Sequence, residues 1–273
     1  MKICACIITY NPGIERLTAN VSAVIDQVDS VLIIDNDSRN YNEIFENFYN
    51  RKITIIHNFE NKGIATALNQ AMTWASHQNY SWVLTLDQDS VCSPKLMQRY
   101  REYIHFDHVG IITCRIKDRN SHKVTPTSNA IYEFVNTCIT SGSLTNVEAF
   151  LKVGGFDEKM FIDMVDIDYC YTLKENDYRI LRVNYIGLLH ELGHSKMHKI
   201  LFYEFEVTSH SASRKYTIER NSVYLIKKHG LNPINEYFII LLRFFTVIFY
   251  EEDKVNKCKM MFKGILAGLK MKP

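Results

Sequence analysis

The sequence has little excess of charge of either sign. It contains 32 Lys and Arg residues against 30 Asp and Glu residues, so the 273-residue chain carries a formal net charge of +2. Proteins that bind nucleic acid through its phosphates usually carry a larger basic excess. We therefore expect no nucleic-acid partner. Internal repeats and low-complexity tracts are also missing, and the balance of 47% hydrophobic and 23% charged residues is typical of a globular protein.

Paired cysteines and an export signal are likewise lacking. The seven cysteines include no Cys-x-x-Cys pair, their number is odd, and most lie in apolar runs. This pattern favours a reduced, cytoplasmic compartment in which thiols act as small hydrophobic side chains. The first apolar run breaks at Asn11-Pro12 and has no small-residue cleavage site, so we interpret it as a strand rather than a signal peptide.

Long hydrophobic runs are missing as well. The longest, YFIILLRFFTVIF at residues 237–249, has thirteen residues and is expected to be too short to span a bilayer of ~30 Å. We predict an amphipathic helical tail over residues 231–273, in which lysines flank an apolar helical face. Such a helix suits peripheral contact with the cytoplasmic face of the inner membrane. The alternatives are a helical pair packed on the core and a dimer contact.

What the sequence does contain is an alternation of short Ile- and Val-rich runs with longer helical patterns. The predicted strands are Ile3–Thr9, Val31–Ile34, Ile53–His57, Trp82–Leu86 and Val109–Thr113. The predicted helices between them are Gly13–Val28, Tyr41–Asn50 and Ile64–Ser76. This alternation predicts an α/β fold with a doubly wound, mostly parallel sheet. We expect one domain over residues 1–230, with a parallel-sheet half at 1–116 and a mixed half at 117–230.

Polar residues follow each of the first four predicted strands. Ligands of parallel sheets bind at the carboxyl ends of the strands. The fourth strand runs into Asp87-Gln88-Asp89, whose two carboxylates suit Mg²⁺ or Mn²⁺ held against substrate phosphates. Lys62 and the free N–H groups of a helix start are suited to a diphosphate. The alternative is ordinary turns and helix caps, which use the same residue types.

A series of motifs resembles the family 2 glycosyltransferases, which have a GT-A fold. The matching segments are IITYN, IIDNDS, NKGIATALNQAM, LDQDS, SGSLTNVEAFLKVGGFDEKMFIDMVDIDYC and RKYTIERN, in family order over residues 7–221. Within the family, LDQDS and IDMVDIDYC most resemble bacterial rhamnosyltransferases, which use dTDP-L-rhamnose. The resemblance implies a nucleotide-diphosphate sugar donor and a glycan or lipid-diphosphate-linked acceptor.

The resemblance also makes residues 1–116 the nucleotide-sugar-binding half and residues 117–230 the acceptor and catalytic half, and it implies roles for residues of the first half. Thr9 and Asn11 would line the nucleotide pocket, and Asp35 with Asn36 would contact the base and ribose. Many relatives carry a second carboxylate where this chain has Asn36, so the base stays open. By the same resemblance, the nucleotide and diphosphate would lie near four residues further along the chain: Asn61, Lys62, Gly63 and Asp87. Asp89 matches the direct metal ligand of the family, with Asp87 beside it.

In the second half, the resemblance assigns the general base to Asp166, although Val165 replaces the Glu that many relatives carry. Neighbouring carboxylates are expected to raise the pKa of Asp166; alternatively, these acids form the first turn of a helix, and the helix dipole opposes that rise. His190 would complete the metal site, with His194 a weaker choice. The remaining assignments are Arg214 and Arg220 at the diphosphate, and Gly142, Gly155 and Asp168 at the acceptor.

These residues together predict an inverting, metal-dependent glycosyltransferase, with L-rhamnose the favoured sugar. Two alternatives stay open at this point. LTLDQDSV resembles the nucleophile strand of haloacid-dehalogenase-like phosphatases, but that fold needs the motif on its first strand. A non-catalytic sugar-nucleotide-binding protein would keep the pocket and tolerate loss of Asp166.

Overall fold

A computed structural model of the chain describes residues 1–126, 128–191, 195–200 and 203–273, with only the backbone described for 195–200 and 203–208. The chain divides into two compact units. The first comprises Met1–Phe161 and Val165–Glu191, and the second comprises Ile162–Met164 and Leu192–Pro273. The domain boundary predicted near residue 230 stays a prediction. His194 lies outside the described residues.

The first half of the sheet is parallel, as predicted. Its strands, in the spatial order β3-β2-β1-β4, are β1 (Ile3–Thr9), β2 (Ser30–Asn36), β3 (Ile53–Asn58) and β4 (Trp82–Asp87). The helices that connect them are α1 (Ile14–Val24), α2 (Tyr41–Phe48) and α3 (Gly63–His77). Most residues of β1, β2 and β4 are fully buried, which explains their nearly continuous apolar sequences.

The second half of the sheet is mixed. Its strands are β5 (Val91–Cys92), β6 (Val109–Asp118), β7 (Tyr132–Val135), β8 (Ser143–Asn146) and β9 (Arg179–His190), and its helices are α4 (Leu96–Arg101), α5 (Val147–Val153) and α6 (Val165–Glu175). Strand β8 is antiparallel to both β4 and β6, and β9 is parallel to β6. Strands β6 and β9 therefore run in the same direction as β4, and β9 ends at the same edge of the sheet as β4 does.

Burial keeps four thiols of the first unit protonated, those of Cys4, Cys6, Cys92 and Cys114. Cys4, Cys6, Cys92, Cys114 and Cys170 are buried. Burial raises the pKa of Cys4 to about 12 and, against opposing hydrogen bonds, the pKa of Cys114 to about 11. A thiol with such a pKa is protonated near neutral pH and unreactive. These thiols therefore pack as small apolar groups, in line with the interpretation of the sequence.

The second unit contains the antiparallel pair β10 (Ser195–Ile200) and β11 (Tyr203–Thr208), followed by helices α7 (Ala212–His229), α8 (Pro233–Tyr250) and α9 (Lys254–Lys270). Helix α8 is longer than the thirteen apolar residues suggested. It has 18 residues and a mean hydropathy of 1.4, so by length and composition alone it could cross a membrane. The expectation that this segment is too short to span is therefore wrong on length, because the flanking residues 233–236 and Tyr250 continue the helix.

Helix α9 packs directly on α7 because two glycines bring the backbones together. A Cβ atom on Gly264 would lie 2.4 Å from the carbonyl oxygen of Tyr216, and one on Gly268 would lie 2.4 Å from that of Arg220. A small apolar core of Val223, Ile226 and Ile240 completes the packing of α7 and α8. The helices of this unit thus pack through their inner sides, whereas most of helix α8 is not buried.

Candidate functional site

Asp35 organises the carboxyl ends of the first three strands. Its Oδ1 accepts a 2.9 Å hydrogen bond from the Thr9 hydroxyl, and its Oδ2 accepts one of 2.9 Å from the backbone N–H of Ser38. The Nδ1 atom of His57 lies 2.9 Å from the same Oδ2. The Asp35 side chain is fully buried, so in this structure its oxygens contact protein donors. The predicted contact of Asp35 with a nucleobase stays a prediction.

The His57 side chain, which the sequence did not single out, has aromatic neighbours. Its ring stacks on Tyr41 at a centroid distance of 3.9 Å and meets the edge of Phe59 at 4.9 Å. Phe59 is 87% exposed. The exposed ring of Phe59, next to His57, is suited to stacking against a nucleobase. His57 lies next to Asp35 because β3 pairs with β2, and residue spacing does not reveal this pairing.

The Asn36 side chain uses both the donor and the acceptor atom of its amide. The Asn36 Nδ2 atom donates to the carbonyl oxygen of Gly63 at 3.1 Å, while its Oδ1 accepts from Asn58 Nδ2 at 2.9 Å. A carboxylate could not donate the first of these bonds. Asn61 Oδ1 accepts from the Gly63 N–H at 3.0 Å. Lys62 is half-buried immediately before α3. These hydrogen bonds hold residues 61–63 at the predicted diphosphate position.

Asn11 connects the loop after β1 to the loop after β2. It has a positive φ of 49°, which an Asn tolerates better than most residues. Its N–H donates to the Ser38 hydroxyl at 2.7 Å, and its Oδ1 accepts from the Arg39 N–H at 2.9 Å. The predicted nucleotide residues Thr9, Asn11 and Asp35 thus belong to one hydrogen-bonded group at one edge of the sheet.

Asp87, Asp89 and His190 are brought together by the sheet. Asp87 Oδ2 lies 3.8 Å from His190 Nε2, and Asp89 Oδ1 lies 3.9 Å from His190 Nδ1. His190 is oriented by Ser90, whose hydroxyl lies 2.8 Å from Nδ1, and by the buried Ser141, whose hydroxyl lies 2.7 Å from that of Ser90. The three predicted metal residues therefore share one location, although His190 is more than one hundred residues from the two aspartates in sequence.

This donor set partly fits a divalent cation. The two carboxylates are 43% and 30% exposed and offer hard oxygen atoms, and Mg²⁺ typically keeps several ligands from water and phosphate. Across the described ranges of the chain, however, no three His, Cys, Asp or Glu side chains form a ready-made set of ligands. The two carboxylates face different nitrogens of His190 rather than one point. The predicted metal site stays a prediction.

The guanidinium of Arg119 lies beside the backbone of Asp89, a contact that no local sequence pattern predicts. Its backbone N–H donates to the carbonyl oxygen of His190 at 2.8 Å, and its Nη2 donates to that of Asp89 at 3.1 Å. Its buried Nε has no hydrogen-bond partner among the residues that the structure describes. Residue 119 reaches this position because Asp118 pairs with His190 in the β6–β9 register, a long-range contact in a segment without clear periodicity.

Asp166 lies in the first turn of α6, as the helical interpretation expected. It is half-buried, its Oδ1 accepts from the Ile167 N–H at 2.9 Å, and it lines a small cavity together with Cys138, Thr140 and Tyr169. Asp168, two residues later, is only 1% exposed. Its side chain is therefore closed to an acceptor in this structure, whereas that of Asp166 is partly open.

Within the second unit, the RKYTIERN segment holds the residues that precede α6. Asp163 accepts from Arg214 Nε at 3.0 Å and from the Thr217 hydroxyl at 2.8 Å. Asn221 Nδ2 donates to the carbonyl oxygens of Ile162 and Asp163 at 2.8 Å. These contacts explain why Asp163 and Met164 tolerate positive φ values of 66° and 63°. Arg214 is thus engaged with Asp163.

Arg220 and the two predicted acceptor glycines also have structural partners. Arg220 Nε donates to Asn221 Oδ1 at 2.9 Å. Gly142 has a φ of 79°, and its carbonyl oxygen accepts from the Tyr100 hydroxyl at 2.5 Å. Gly155 has a φ of 83°, and a Cβ atom there would lie 2.9 Å from Asn69 Oδ1. Internal packing accounts for these glycines, and their acceptor role stays a prediction.

The chain is similar to one protein family and to individual proteins. The family model described as Glycosyl transferase family 2 matches residues 4–161. The chain is 25% identical over 287 aligned residues to the dTDP-rhamnosyl transferase RfbF of Shigella flexneri, covering 98% of this chain and 96% of that protein. It is 29% identical over 121 residues to the bifunctional glycosyltransferase pgtA of Dictyostelium discoideum, covering 41% of this chain and 16% of that protein.

Solved structures with a similar fold include two in complex with nucleotides. The 1–349 fragment of TarS from S. aureus with UDP-GlcNAc has a TM-score of 0.63 at 15% identity, covering 100% of this chain and 82% of that one. GalNAc-T7 with UDP, GalNAc and Mn²⁺ has a TM-score of 0.61 at 12% identity, covering 83% and 47%. At these identities the likeness concerns the fold alone, and it confirms the predicted GT-A-type α/β architecture.

Proposed function

The chain belongs to glycosyl transferase family 2 and is a glycosyltransferase, and from that premise we propose that it transfers L-rhamnose from dTDP-L-rhamnose with inversion. One observation carries the choice of sugar. The likeness to a dTDP-rhamnosyl transferase extends over 98% of this chain and 96% of that protein, so it includes both units rather than a nucleotide-binding half alone.

The donor nucleotide binds at the edge formed by β1, β2 and β3. Thr9, Asp35 and His57 form its hydrogen-bonded floor, and Phe59 offers an exposed ring for stacking. The start of α3 receives the diphosphate mainly through the positive charge of Lys62, because the N–H groups of Gly63 and Ile64 already donate to Asn61 and Phe161. This arrangement supports a nucleotide-diphosphate sugar over a simple phosphoester.

A divalent cation, Mg²⁺ or Mn²⁺, would be held by Asp87, Asp89 and His190, and it would supply positive charge beside the departing diphosphate. Ser90 orients the His190 ring by the hydrogen bond at Nδ1, and hydrogen bonds of this kind commonly fix the ring of a metal-binding histidine. The guanidinium of Arg119 holds the backbone of Asp89 by its hydrogen bond to the Asp89 carbonyl oxygen, and it adds positive charge near this acidic segment.

Asp166 acts as the general base in a single displacement. The acceptor hydroxyl gives its proton to the Asp166 carboxylate while its oxygen forms a bond to the anomeric carbon. The bond from that carbon to the diphosphate oxygen breaks, and dTDP leaves with the electron pair. One displacement inverts the anomeric centre, so a β-linked donor gives an α-rhamnoside.

The acceptor is a glycan or a lipid-diphosphate-linked sugar chain, used in the cytoplasm. The two rival functions are less well supported. A haloacid-dehalogenase-like phosphatase would need its Asp-x-Asp motif on the first strand, whereas Asp87 ends β4 in the interior of the sheet. A non-catalytic binding protein would not need a half-exposed carboxylate such as Asp166 facing a cavity.

Thermal unfolding with a panel of nucleotide sugars tests this proposal. Ligands that bind only the folded state stabilise it, by about 2.7 kcal/mol at one hundred times the dissociation constant. We expect dTDP-rhamnose to raise the melting temperature with Mg²⁺ or Mn²⁺ and much less with EDTA. A rise with UDP-sugars alone would exclude rhamnose, and no rise with any donor would favour the rival functions. A β-rhamnoside product, seen by NMR, would exclude inversion.

A further inference from the structure

Helix α8 presents an apolar face that the rest of the chain does not cover. The outer stripe comprises Phe238, Leu241, Leu242, Phe245, Ile248 and Phe249, each between 45% and 65% exposed. Their spacing of three and four residues places them on one side of the helix. Only 11% of α8 is buried, and exposed apolar patches of this kind mark interaction sites.

The inner side of α8 is fixed to α7 by a bidentate ion pair. Arg243 Nε and Nη2 lie 2.8 and 2.7 Å from the carboxylate of Glu219, whose side chain is fully buried. Arg243 also donates to the Ser222 hydroxyl at 2.9 Å. The one charged residue of the apolar segment therefore points away from the outer stripe, and the stripe itself carries no charge.

These contacts favour a helix that lies along a membrane over one that crosses it. With 18 residues, α8 is about 27 Å long, close to a hydrocarbon core of ~30 Å, so its length alone allows either arrangement. A crossing helix would also carry Arg243, Glu219 and the polar helix α7 into the bilayer, which costs far more than leaving them at the interface. An interfacial helix needs only its outer stripe in the lipid.

Helix α9 adds positive charge to an outer face of its own. Lys259, Lys263 and Lys270 are exposed there, together with Phe262, Leu266 and Leu269. Residues 254–273 contain six lysines and no acidic residue. Lysine is depleted in protein–protein interfaces, and pairing two copies through this face would bring like charges together. An anionic lipid surface attracts the same lysines.

We propose that the outer stripe of α8 and the lysine-bearing face of α9 dock this protein on an anionic bilayer, with α8 lying at the headgroup boundary. This docking goes beyond sugar transfer and holds whichever sugar is transferred. It places the second unit at the lipid surface, where a lipid-linked acceptor would be found.

Co-sedimentation of the full-length chain with vesicles tests the proposal. We expect binding to vesicles of equal parts phosphatidylglycerol and phosphatidylcholine. Binding to pure phosphatidylcholine, or in 0.5 M NaCl, should be at least tenfold weaker. The first condition removes the anionic lipid, and the second shortens the range of charge attraction, which is ~3 Å at 1 M salt. Leu241→Glu with Phe245→Glu should weaken binding at least tenfold, because the two carboxylates would enter the apolar boundary. The matched control is Leu151→Glu, which changes an exposed apolar residue of the first unit. This variant should bind as the unchanged chain does.

Lys259→Gln with Lys263→Gln provides a second variant that leaves the apolar stripe intact, in case the first does not fold. It should lose its preference for anionic vesicles. Unchanged binding of both variants, or no binding by the unchanged chain, would overturn the proposal. Sedimentation equilibrium gives a further test: a dimer that the Glu variant converts to a monomer would make this face a protein interface instead. Donor hydrolysis without vesicles reports sugar transfer separately, so either proposal can fail alone.

Discussion

Replacing Gly63 with Ala should disturb both the stability of the first unit and its catalysis. Gly63 begins α3 with a φ of 81°, and a Cβ atom there would lie 2.6 Å from the carbonyl oxygen and 2.6 Å from Cδ2 of Phe161. The neighbouring Ile64 N–H donates to the same carbonyl oxygen at 2.7 Å. The substitution therefore pushes against a backbone that cannot rotate away as a flexible side chain would.

The magnitude has two parts. Holding an Ala at a left-handed φ costs about 1–2 kcal/mol, and overpacking against fixed atoms costs about 1–3 kcal/mol. Gly63→Ala should thus lower the free energy of unfolding by about 2–5 kcal/mol. Phe161 precedes Asp166 by five residues, so a displacement of this segment also moves the proposed general base. A misplacement of about 1 Å can cost ~10²-fold in turnover.

Urea unfolding and steady-state kinetics measure these two effects. Gly154→Ala is the matched control, since Gly154 has a similar φ of 90° but no heavy atom within 4 Å of its added Cβ. The control should lose only the conformational part, about 1–2 kcal/mol, and keep its turnover. If Gly63→Ala is no less stable than Gly154→Ala, and turns over as fast as the unchanged enzyme, the close approach of Phe161 does not constrain the site.

Three further predictions concern charged groups. Asp166→Asn should lose about 10²–10⁴-fold in turnover while donor binding, followed by thermal shift, is unchanged. Asp89→Asn should abolish the difference between Mn²⁺ and EDTA in the same thermal-shift assay, because it removes a predicted cation ligand. Glu251→Gln should lower stability by about 3–5 kcal/mol in urea unfolding, since it leaves Lys215 and Lys257 buried without a carboxylate.

The Glu251 prediction has a defined pH dependence. Burial alone would raise the pKa of Glu251, but hydrogen bonds from Lys215 and Lys257 outweigh it and lower the pKa below its usual value. The stabilisation is therefore complete above the unfolded pKa of about 4.3 and is lost as pH falls through the lower, folded pKa. Glu251→Gln should lack this component of acid unfolding. Equal acid sensitivity in both chains would contradict the assignment.

Local patterns predicted the first half of the sheet closely. Strand β1 was predicted at its observed bounds, and β3 and β4 were each predicted one residue short. These strands are buried and continuous, so composition and length suffice to identify them. Residue spacing does not predict β8, which pairs antiparallel between β4 and β6, because that pairing depends on contacts distant in sequence.

The site followed the same division. Asp87, Asp89 and His190 were predicted from motifs and do lie together. Arg119 and His57 were not predicted, because their positions come from strand register rather than from any local pattern. Arg214 was predicted at the diphosphate, yet it pairs with Asp163; an Arg in a motif does not reveal whether its partner is a ligand or the protein's own carboxylate.

The distribution of cysteines makes the two units separately observable. Of the seven thiols, Cys258 alone belongs to the second unit, and it is half-exposed, whereas five of the six in the first unit are buried. A buried thiol reacts with an alkylating reagent only when the surrounding structure opens, so its labelling rate reports local unfolding. Mass spectrometry of each labelled cysteine would then follow the opening of the sheet of the first unit through its buried thiols, with the half-exposed Cys258 of the helical unit as a fast-reacting internal reference in the same sample.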